Sequence, residues 1–294
     1  PAAPTNVSAT DTGDGDTAKV VITWVKSFGA TDYHVWRDAI DLGASGDVNT
    51  ENDNGADAPT VTPGTATASD GDSTAHTTLS IAGDTSNPGN VHVYKVVASN
   101  ATGDSDDSNL DNGNRAAAGL TYEWFRSAGD GDAGYGTILG EGGTTDPYND
   151  TNAPAPTITP GNAIASDGTS GVHVTLDVVG QSSNDGAGRW YYCEVSAVDA
   201  VTQDTDHNRG YRGGGVLSYE WFRSAADLDA AFGSIAGEGG TTDPYNDPNG
   251  AVEPDGRWYY CNLTAPDAAN QDTTHNRGFI AAVTVDIIFD RCTG

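Results

Sequence analysis

The residues best suited to chemistry in this sequence are aspartates in the triplet Asp-Gly-Asp. The triplet occurs three times, and its carboxylates have a spacing that suits Ca²⁺ ligation in a short loop. No copy continues into a twelve-residue calcium loop with a distal glutamate. Aspartate is also common in tight turns, because its side chain bonds nearby backbone. Calcium binding and a turn role both stay open. The candidate calcium ligands are Asp11, Asp14, Asp16, Asp70, Asp72, Asp130 and Asp132.

Other reactive patterns are missing from the sequence. It has no His-X-X-X-His or Cys-X-X-Cys spacing for zinc, no Gly-X-Ser-X-Gly elbow and no Walker loop. Residues 129–134 match Gly-X-Gly-X-X-Gly, but Asp130 and Asp132 would repel a pyrophosphate, so a turn is predicted there. We therefore predict no catalytic residues, no enzyme activity, and no cofactor besides calcium.

The charge balance restricts the partners. The chain has 42 acidic against 13 basic residues, a net charge of -29, which disfavours nucleic acid and anionic lipid. No stretch approaches the roughly 18 apolar residues of a membrane helix, so membrane insertion is not expected. The absence of Met suggests a processed, exported product. Sequons starting at Asn6, Asn100, Asn149 and Asn262 fit an extracellular or cell-surface location.

The sequence also repeats itself. Tyr122–Ala128 returns 97 residues later as Tyr219–Ala225, and Gly142–Asp150 returns as Gly239–Asp247 at the same offset. A duplicated module without a reactive constellation usually provides length or a binding surface. The duplication therefore favours a structural or binding role over catalysis.

The first segment has the composition of strands. A β-branched run ends near Trp24, Tyr33–Arg37 follows, and Val93–Asn100 comes later. With the opening Pro4-X-Asn-Val-X-Ala, this pattern resembles a fibronectin type III domain. The resemblance implies a β-sandwich, with residues 64–81 as its fourth and fifth strands.

The second segment is similar to an immunoglobulin domain, through Tyr122-Glu123-Trp124 and Gly188–Cys193. The resemblance implies that the Tyr191 hydroxyl bonds nearby backbone. No upstream cysteine is available for the inter-sheet disulfide of that family. The predicted fold is all-β, a tandem fibronectin-III/Ig-like array of the bacterial or archaeal surface type. Its predicted domains are 1–116 (fibronectin-III-like), 117–214 (Ig-like) and 215–294 (a shortened Ig-like repeat with a long C-terminal strand).

The later modules are short of strands. The repeat offset falls from 97 residues to 68 between the two Trp-Tyr-Tyr-Cys sequences, so 29 residues of central hairpin are missing from the third segment. Neither later segment has its own opening pair of strands. We expect the third module to expose an apolar face or a sheet edge. Its final strand would close its own module, pair with a neighbouring chain, or pack on the second module. The predicted assembly residues are Val285, Ile287, Ile288 and Phe289.

Aromatic and cysteine residues offer further candidates. Trp190 and Trp258 each adjoin a tyrosine, so strand alternation must turn one ring of each pair outward, and both tryptophans are candidate interface residues. Cys193 and Cys261 hold equivalent repeat positions and are expected in separate modules, as buried and inert thiols. Cys292 has no repeat equivalent and could reach Cys261 or another chain.

These patterns predict a non-enzymatic extracellular structural protein. Its favoured role is a self-assembling subunit of a surface filament, sheath or layer, with other copies of the chain as partners. The alternatives are a monomeric adhesin or carbohydrate-binding stalk that binds surface glycans, and a virion fibre or decoration protein.

Overall fold

The computed structural model describes residues 1–10 and 16–282, and over these residues the predicted all-β fold is confirmed. Short antiparallel strands account for the regular structure, apart from two 3-10 turns at Leu139–Glu141 and Ala236–Glu238. No helix in the described part of the chain is long and apolar enough to cross a membrane.

The first sandwich packs a three-stranded sheet against a five-stranded one. The smaller sheet has the order β1 (Thr5–Ala9), β2 (Val20–Val25), β5 (Thr50–Asp53). The larger has the order β11 (Gly103–Asp104), β10 (His92–Asn100), β3 (Asp32–Arg37), β4 (Ile40–Ala44), with β12 (Asp111–Gly113) also paired to β10. Alternate residues of each strand face inward, so Ile22 and Trp24 meet Tyr33, Val35 and Tyr94 in one core.

A long hairpin lies between β5 and β10 in the sequence. It consists of β6 (Thr60–Thr62), β7 (Thr65–Ala68), β8 (Thr77–Ala82) and β9 (Thr85–Asn87), in which β6 pairs with β9 and β7 with β8. The sequence predicts β7 and β8 as strands of the first sandwich. Their buried residues instead join a second core, where Leu79 and Ile81 pack with Trp124 and Cys193.

The second sandwich is therefore built from two separated parts of the chain. The hairpin strands form a sheet with the order β15 (Tyr148–Asp150), β8, β7. The other sheet has the order β14 (Tyr135–Thr137), β13 (Leu120–Ser127), β20 (Arg189–Ala197), β21 (Gln203–Asp204), with β22 (Asn208–Gly210) also paired to β20.

The third sandwich repeats this scheme. Its hairpin, between β15 and β20, consists of β16 (Thr157–Thr159), β17 (Asn162–Ala165), β18 (Val174–Val179) and β19 (Ser182–Asn184). Strands β17 and β18 form a sheet with β25 (Tyr245–Asp247). The facing sheet has the order β24 (Phe232–Ser234), β23 (Ser218–Ser224), β26 (Arg257–Thr264), β27 (Gln271–Asp272), with β28 (Asn276–Gly278) paired to β26.

This exchange explains the missing strands. Segments 117–214 and 215–294 have no opening strands of their own, and each receives a pair from the hairpin of the preceding segment. The 29 residues missing from the third segment correspond to a hairpin that, in the other segments, builds the next sandwich. Their absence therefore removes nothing from the third core, where Leu176 packs with Trp221 and Cys261. The third sandwich is closed by β17 and β18, without an open inner face.

By compactness the chain divides into two units. One comprises Pro1–Ala68, Thr78–Tyr148 and Trp190–Arg209, and contains the first and second cores. The other comprises Ser69–Thr77, Asn149–Arg189 and Gly210–Gly294, and contains the third core. The boundaries after residues 116 and 214 stay predictions.

Candidate functional site

Arg115 joins the first two sandwiches within the first unit. Its Nε donates to the carbonyl of Thr17 over 2.6 Å, and its Nη1 donates to the carbonyl of Ala56 over 3.3 Å. Its Nη2 lies 3.9 Å from the Asp199 carboxylate, which also accepts a 2.8 Å bond from the Thr17 hydroxyl. Thr17 lies between β1 and β2, and Asp199 lies between β20 and β21. Because the Arg115 side chain is only 11% exposed, the bonds that it donates to the two carbonyls are largely sheltered from water.

Arg212 repeats this arrangement within the second unit. Its Nε donates to the Thr74 carbonyl over 2.6 Å and its Nη1 to the Ala153 carbonyl over 3.1 Å. The Thr74 hydroxyl donates to Asp267 over 2.9 Å, and Arg212 Nη2 lies 3.9 Å from the same carboxylate. We call each Arg, Thr and Asp set a junction clamp. Both arginines lie close to the predicted domain boundaries, and their 97-residue spacing is a signal that they belong to the repeat.

The two clamp aspartates also share an unusual backbone. Asp199 has a φ of 63° and Asp267 a φ of 58°, both in the left-handed region. Asp tolerates this region better than most residues, because its short side chain bonds locally. The clamp carboxylate therefore projects from a tight turn that an apolar β-branched residue would strain.

A buried carboxylate marks the same position in all three sandwiches. Asp53, Asp150 and Asp247 end β5, β15 and β25, and each accepts a bond from the backbone N–H two residues ahead. Arg37 Nη1 lies 2.9 Å from Asp53, and the Tyr94 hydroxyl donates to Asp53 over 2.9 Å. The repetition identifies the first segment as a divergent copy of the same module.

The third sandwich contains the corresponding triad. Arg223 Nη1 donates to the Asp247 carboxylate over 2.8 Å, and the Tyr259 hydroxyl donates to it over 3.0 Å. Burial, with the neighbouring Asp247 charge, raises the pKa of Tyr259 far above its usual range. The phenol therefore stays a neutral donor. Tyr259 is the repeat equivalent of Tyr191, whose bond to nearby backbone stays a prediction. Such a satisfied buried triad stabilises the fold and leaves no group free for chemistry.

Aromatic rings cover the outer sheet faces of the later sandwiches. Phe125 and Tyr192 stack at 4.8 Å, and Tyr192 lies 5.1 Å from His207. Phe222, Tyr260 and His275 repeat this stack on β23, β26 and the approach to β28. Because the rings lie against one another across the strands, they act as cross-strand pairs that stabilise the sheet.

Trp190 and Trp258 lie where alternation predicts them. Each is half-buried on the outer face of its strand, while the adjacent Tyr191 and Tyr259 are fully buried. The Trp190 backbone N–H donates to the Ser127 hydroxyl over 2.9 Å, which fixes the strand edge there. An interface role for the two indoles stays a prediction.

The first sandwich has a different outer face. In place of the ring stack, the Lys95 ammonium lies 5.2 Å from the centroid of the Trp36 ring and 2.8 Å from the Asp107 carboxylate. His34 pairs with Asp41 at 3.0 Å. These residues line a shallow polar pocket of about 290 Å³, together with Val97, Ser99, Asp104 and Ser105.

The predicted calcium ligands are dispersed. Asp11 and Asp14 lie outside the described residues, Asp16 accepts a bond from the Ala18 N–H, and Asp70 and Asp72 are exposed. Asp130 forms two bonds to Arg209, and Asp132 bonds Tyr135 and His207. Across residues 1–10 and 16–282, no group of three or more His, Cys, Asp or Glu side chains is arranged to hold a metal. Calcium binding stays a prediction, and at Asp130 and Asp132 it would compete with these partners.

The predicted assembly residues Val285, Ile287, Ile288 and Phe289 lie outside the described residues, as does Cys292. Cys193 and Cys261 are both free, each buried in its own sandwich core. Burial raises the pKa of each thiol to about 12, so both stay protonated and unreactive at neutral pH.

No protein-family model matches the chain, and no curated protein does. Among solved structures, the chain is similar to the FN1–FN3 domains of chicken CNTN1, with 8% sequence identity and a TM-score of 0.25. That alignment covers 95% of this chain and 99% of the other.

The strand order of the sandwiches defines the class of protein. In each sandwich, three strands face a sheet in which the third strand lies between the fourth and the sixth, which is a fibronectin-III-like arrangement. The chain is thus a modular protein of fibronectin-III-like β-sandwich repeats.

Proposed function

We propose that this chain is a non-enzymatic structural protein of a bacterial or archaeal surface. It would be a subunit that assembles with copies of itself into a filament, sheath or layer by strand pairing. The observation that supports this role is the hairpin exchange. Strands β7–β8 and β17–β18 each complete a sandwich whose other strands come from a later part of the chain. Strand pairing between separate segments is therefore how this chain already builds its modules.

The final segment provides the strand for pairing between copies. Val285, Ile287, Ile288 and Phe289 form an apolar, β-branched run that is suited to a strand. The third core is already closed by β17, β18 and β25, so it does not need this run. A strand that its own module does not need is suited to β-augmentation of a second copy.

A second candidate function rests on the first sandwich alone. Its polar pocket brings Trp36 together with Lys95, His34 and several carboxylates, and the later sandwiches have stacked rings at the equivalent sheet face. An indole beside mixed hydrogen-bonding groups suits a neutral surface glycan. In this alternative the protein is a monomeric adhesin or stalk.

Negative-stain electron microscopy of the chain, with and without Ile288→Asp, tests the proposal. We expect regular assemblies from the unmodified chain and dispersed particles from the variant, because a carboxylate in the pairing strand opposes burial. Val216→Asp is the matched control, since Val216 is 85% exposed and the same change there costs little. Dispersed particles from the unmodified chain would contradict the assembly role and favour the glycan-binding stalk, which a glycan array then tests.

Calcium enters the proposal as a stabilising ion at the Asp-Gly-Asp turns. With a net charge of -29, the chain repels copies of itself, and a divalent cation would reduce that repulsion. We expect EGTA to weaken assembly and added Ca²⁺ to restore it. Assemblies unchanged by EGTA would show that the aspartates act only in turns.

A further inference from the structure

The two junction clamps use the same end of a sandwich. In the second sandwich, Asp199 lies in the turn from β20 to β21, and in the third, Asp267 lies in the turn from β26 to β27. The aspartate of each turn accepts a hydrogen bond from a threonine hydroxyl. That threonine lies in the turn between the first two strands of the preceding sandwich. We call the end with the Asp199-type turn the receiving end, and the end with the Thr17-type turn the donating end.

The receiving end of the first sandwich carries exposed apolar side chains. It is formed by the loop 26–31, the turn 45–49 and the turn between β10 and β11. Phe28 at the tip of the first loop is 99% exposed, and Val25 and Val48 beside it are 52% and 37% exposed. In the second sandwich, Thr85 holds the position of Phe28, at the start of β9.

The loop that carries Phe28 is held firmly. Lys26 Nζ lies 2.7 Å from the Asp47 carboxylate, and Asn100 Nδ2 donates to the Gly29 carbonyl over 2.9 Å. These bonds join all three loops of the receiving end. An exposed aromatic ring on a preorganised loop loses little conformational freedom on binding, which suits a contact residue.

The third sandwich has a donating end with a complementary character. Its turn 166–173 exposes Val172 (71%), and Val252 nearby is 53% exposed. Ala281 N donates to the Ser170 carbonyl over 2.9 Å, so the chain leaves the described residues at this end.

The clamp residues are replaced at both of these ends. By repeat position, Thr102 stands in place of Asp199 at the first receiving end, and Gly171 and Ile280 stand in place of Thr74 and Arg212 at the third donating end. The polar clamp is thus absent from both ends, and Phe28 and Val172 are present instead.

We propose that the receiving end of the first sandwich docks on the donating end of the third sandwich of a second copy, through Phe28 and Val172. The two surfaces differ, so the contact is heterologous and propagates into an open assembly instead of closing as a dimer. This inference rests on the proposed self-assembly and identifies its joint.

Cysteine cross-linking tests the joint directly. In a Cys292→Ser background, the double variant Phe28→Cys with Val172→Cys is oxidised and run on a non-reducing gel. We expect a ladder of dimers, trimers and higher species. A mixture of the two single variants should give a covalent dimer that contains one copy of each, since residue 28 meets residue 172. The buried Cys193 and Cys261 do not react.

Phe28→Asp provides a second readout, and we expect it to raise the concentration for half-assembly at least tenfold. Phe28→Leu should largely restore it. If the unmodified chain forms filaments but neither cross-link nor Phe28→Asp effect is seen, the joint is overturned while self-assembly stands. If electron microscopy shows no assemblies at all, the proposed function fails and the joint fails with it.

Discussion

Arginine occupies two different environments in the third sandwich, and burial decides what each ion pair contributes. Arg223 meets the fully buried Asp247, which the Tyr259 hydroxyl also contacts. Arg277 meets Asp227 near the surface, where the two side chains are 32% and 36% exposed. A buried charge without its partner is costly, whereas an exposed pair contributes little because water solvates both groups.

We predict that Asp247→Asn lowers the free energy of unfolding by about 2 kcal/mol, because Arg223 loses its charge-assisted bonds to the buried carboxylate and keeps only its more exposed partner Glu238, at 3.0 Å. Calorimetry at neutral pH checks this through the transition of the second unit. Asp227→Asn is the matched control, and its expected cost is much smaller, because water solvates both groups of that pair. Equal costs for the two variants would mean that burial does not set the strength of these pairs.

At the scale of elements, the central hairpin matters most. The inward residues of β7 are small and those of β8 are large: Ala66 lies opposite Ile81, and Ala68 lies opposite Leu79. This inner face needs a large apolar partner surface, which β13 and β20 supply through Trp124 and Val195. The first core is already closed by β1, β2 and β5, so the hairpin has no inner surface left to cover there.

We predict that Leu79→Ala destabilises the second sandwich and spares the first. Truncating a fully buried leucine costs about 2–5 kcal/mol. Amide hydrogen exchange should therefore quicken in β13 and β20, while β3 and β10 keep their protection. Ile22→Ala should give the opposite pattern, since Ile22 lies in the first core. Faster exchange in β3 and β10 of the Leu79 variant would assign the hairpin to the first sandwich after all.

The strands themselves were predictable from sequence, and the partner of the hairpin was not. Alternation predicted that one ring of each Trp-Tyr pair faces outward, because a strand has a strict period of two, and the structure shows Tyr191 inward and Trp190 on the outer face. The same alternation shows that Leu79 is buried but says nothing about which surface covers it. Counting strands points to that surface. Each sandwich needs one pair of opening strands and one set of later strands. The chain has three sets of later strands, and β1–β2 with the two hairpins supply three opening pairs. The sequence did not predict the role of the clamp arginines, because a single basic residue in a short linker belongs to no recognisable motif.

The hairpin exchange changes how the first two sandwiches connect. In an ordinary tandem array one linker joins neighbouring modules. Here the chain passes from the first sandwich to the second before β6, returns after β9, and passes again before β13. Arg115 fixes this region, because it bonds residues on either side of the crossings. Such a connection suits a protein that carries load along its chain.

Pulling on the chain ends with optical tweezers tests the exchange at the scale of the molecule. If the first sandwich unfolds while the second holds, only the residues from the N-terminus to β6 join the force path. The residues between β9 and β13 stay shielded, because both of their ends are anchored in the second sandwich. We therefore predict a lengthening of roughly 60 residues, about 200 Å at ~3.4 Å per residue. Release of residues 1–116 as an independent domain would instead give roughly 400 Å. The longer step would rule out the exchange and support the boundary after residue 116, and the shorter step would locate the hairpin in the second sandwich under load.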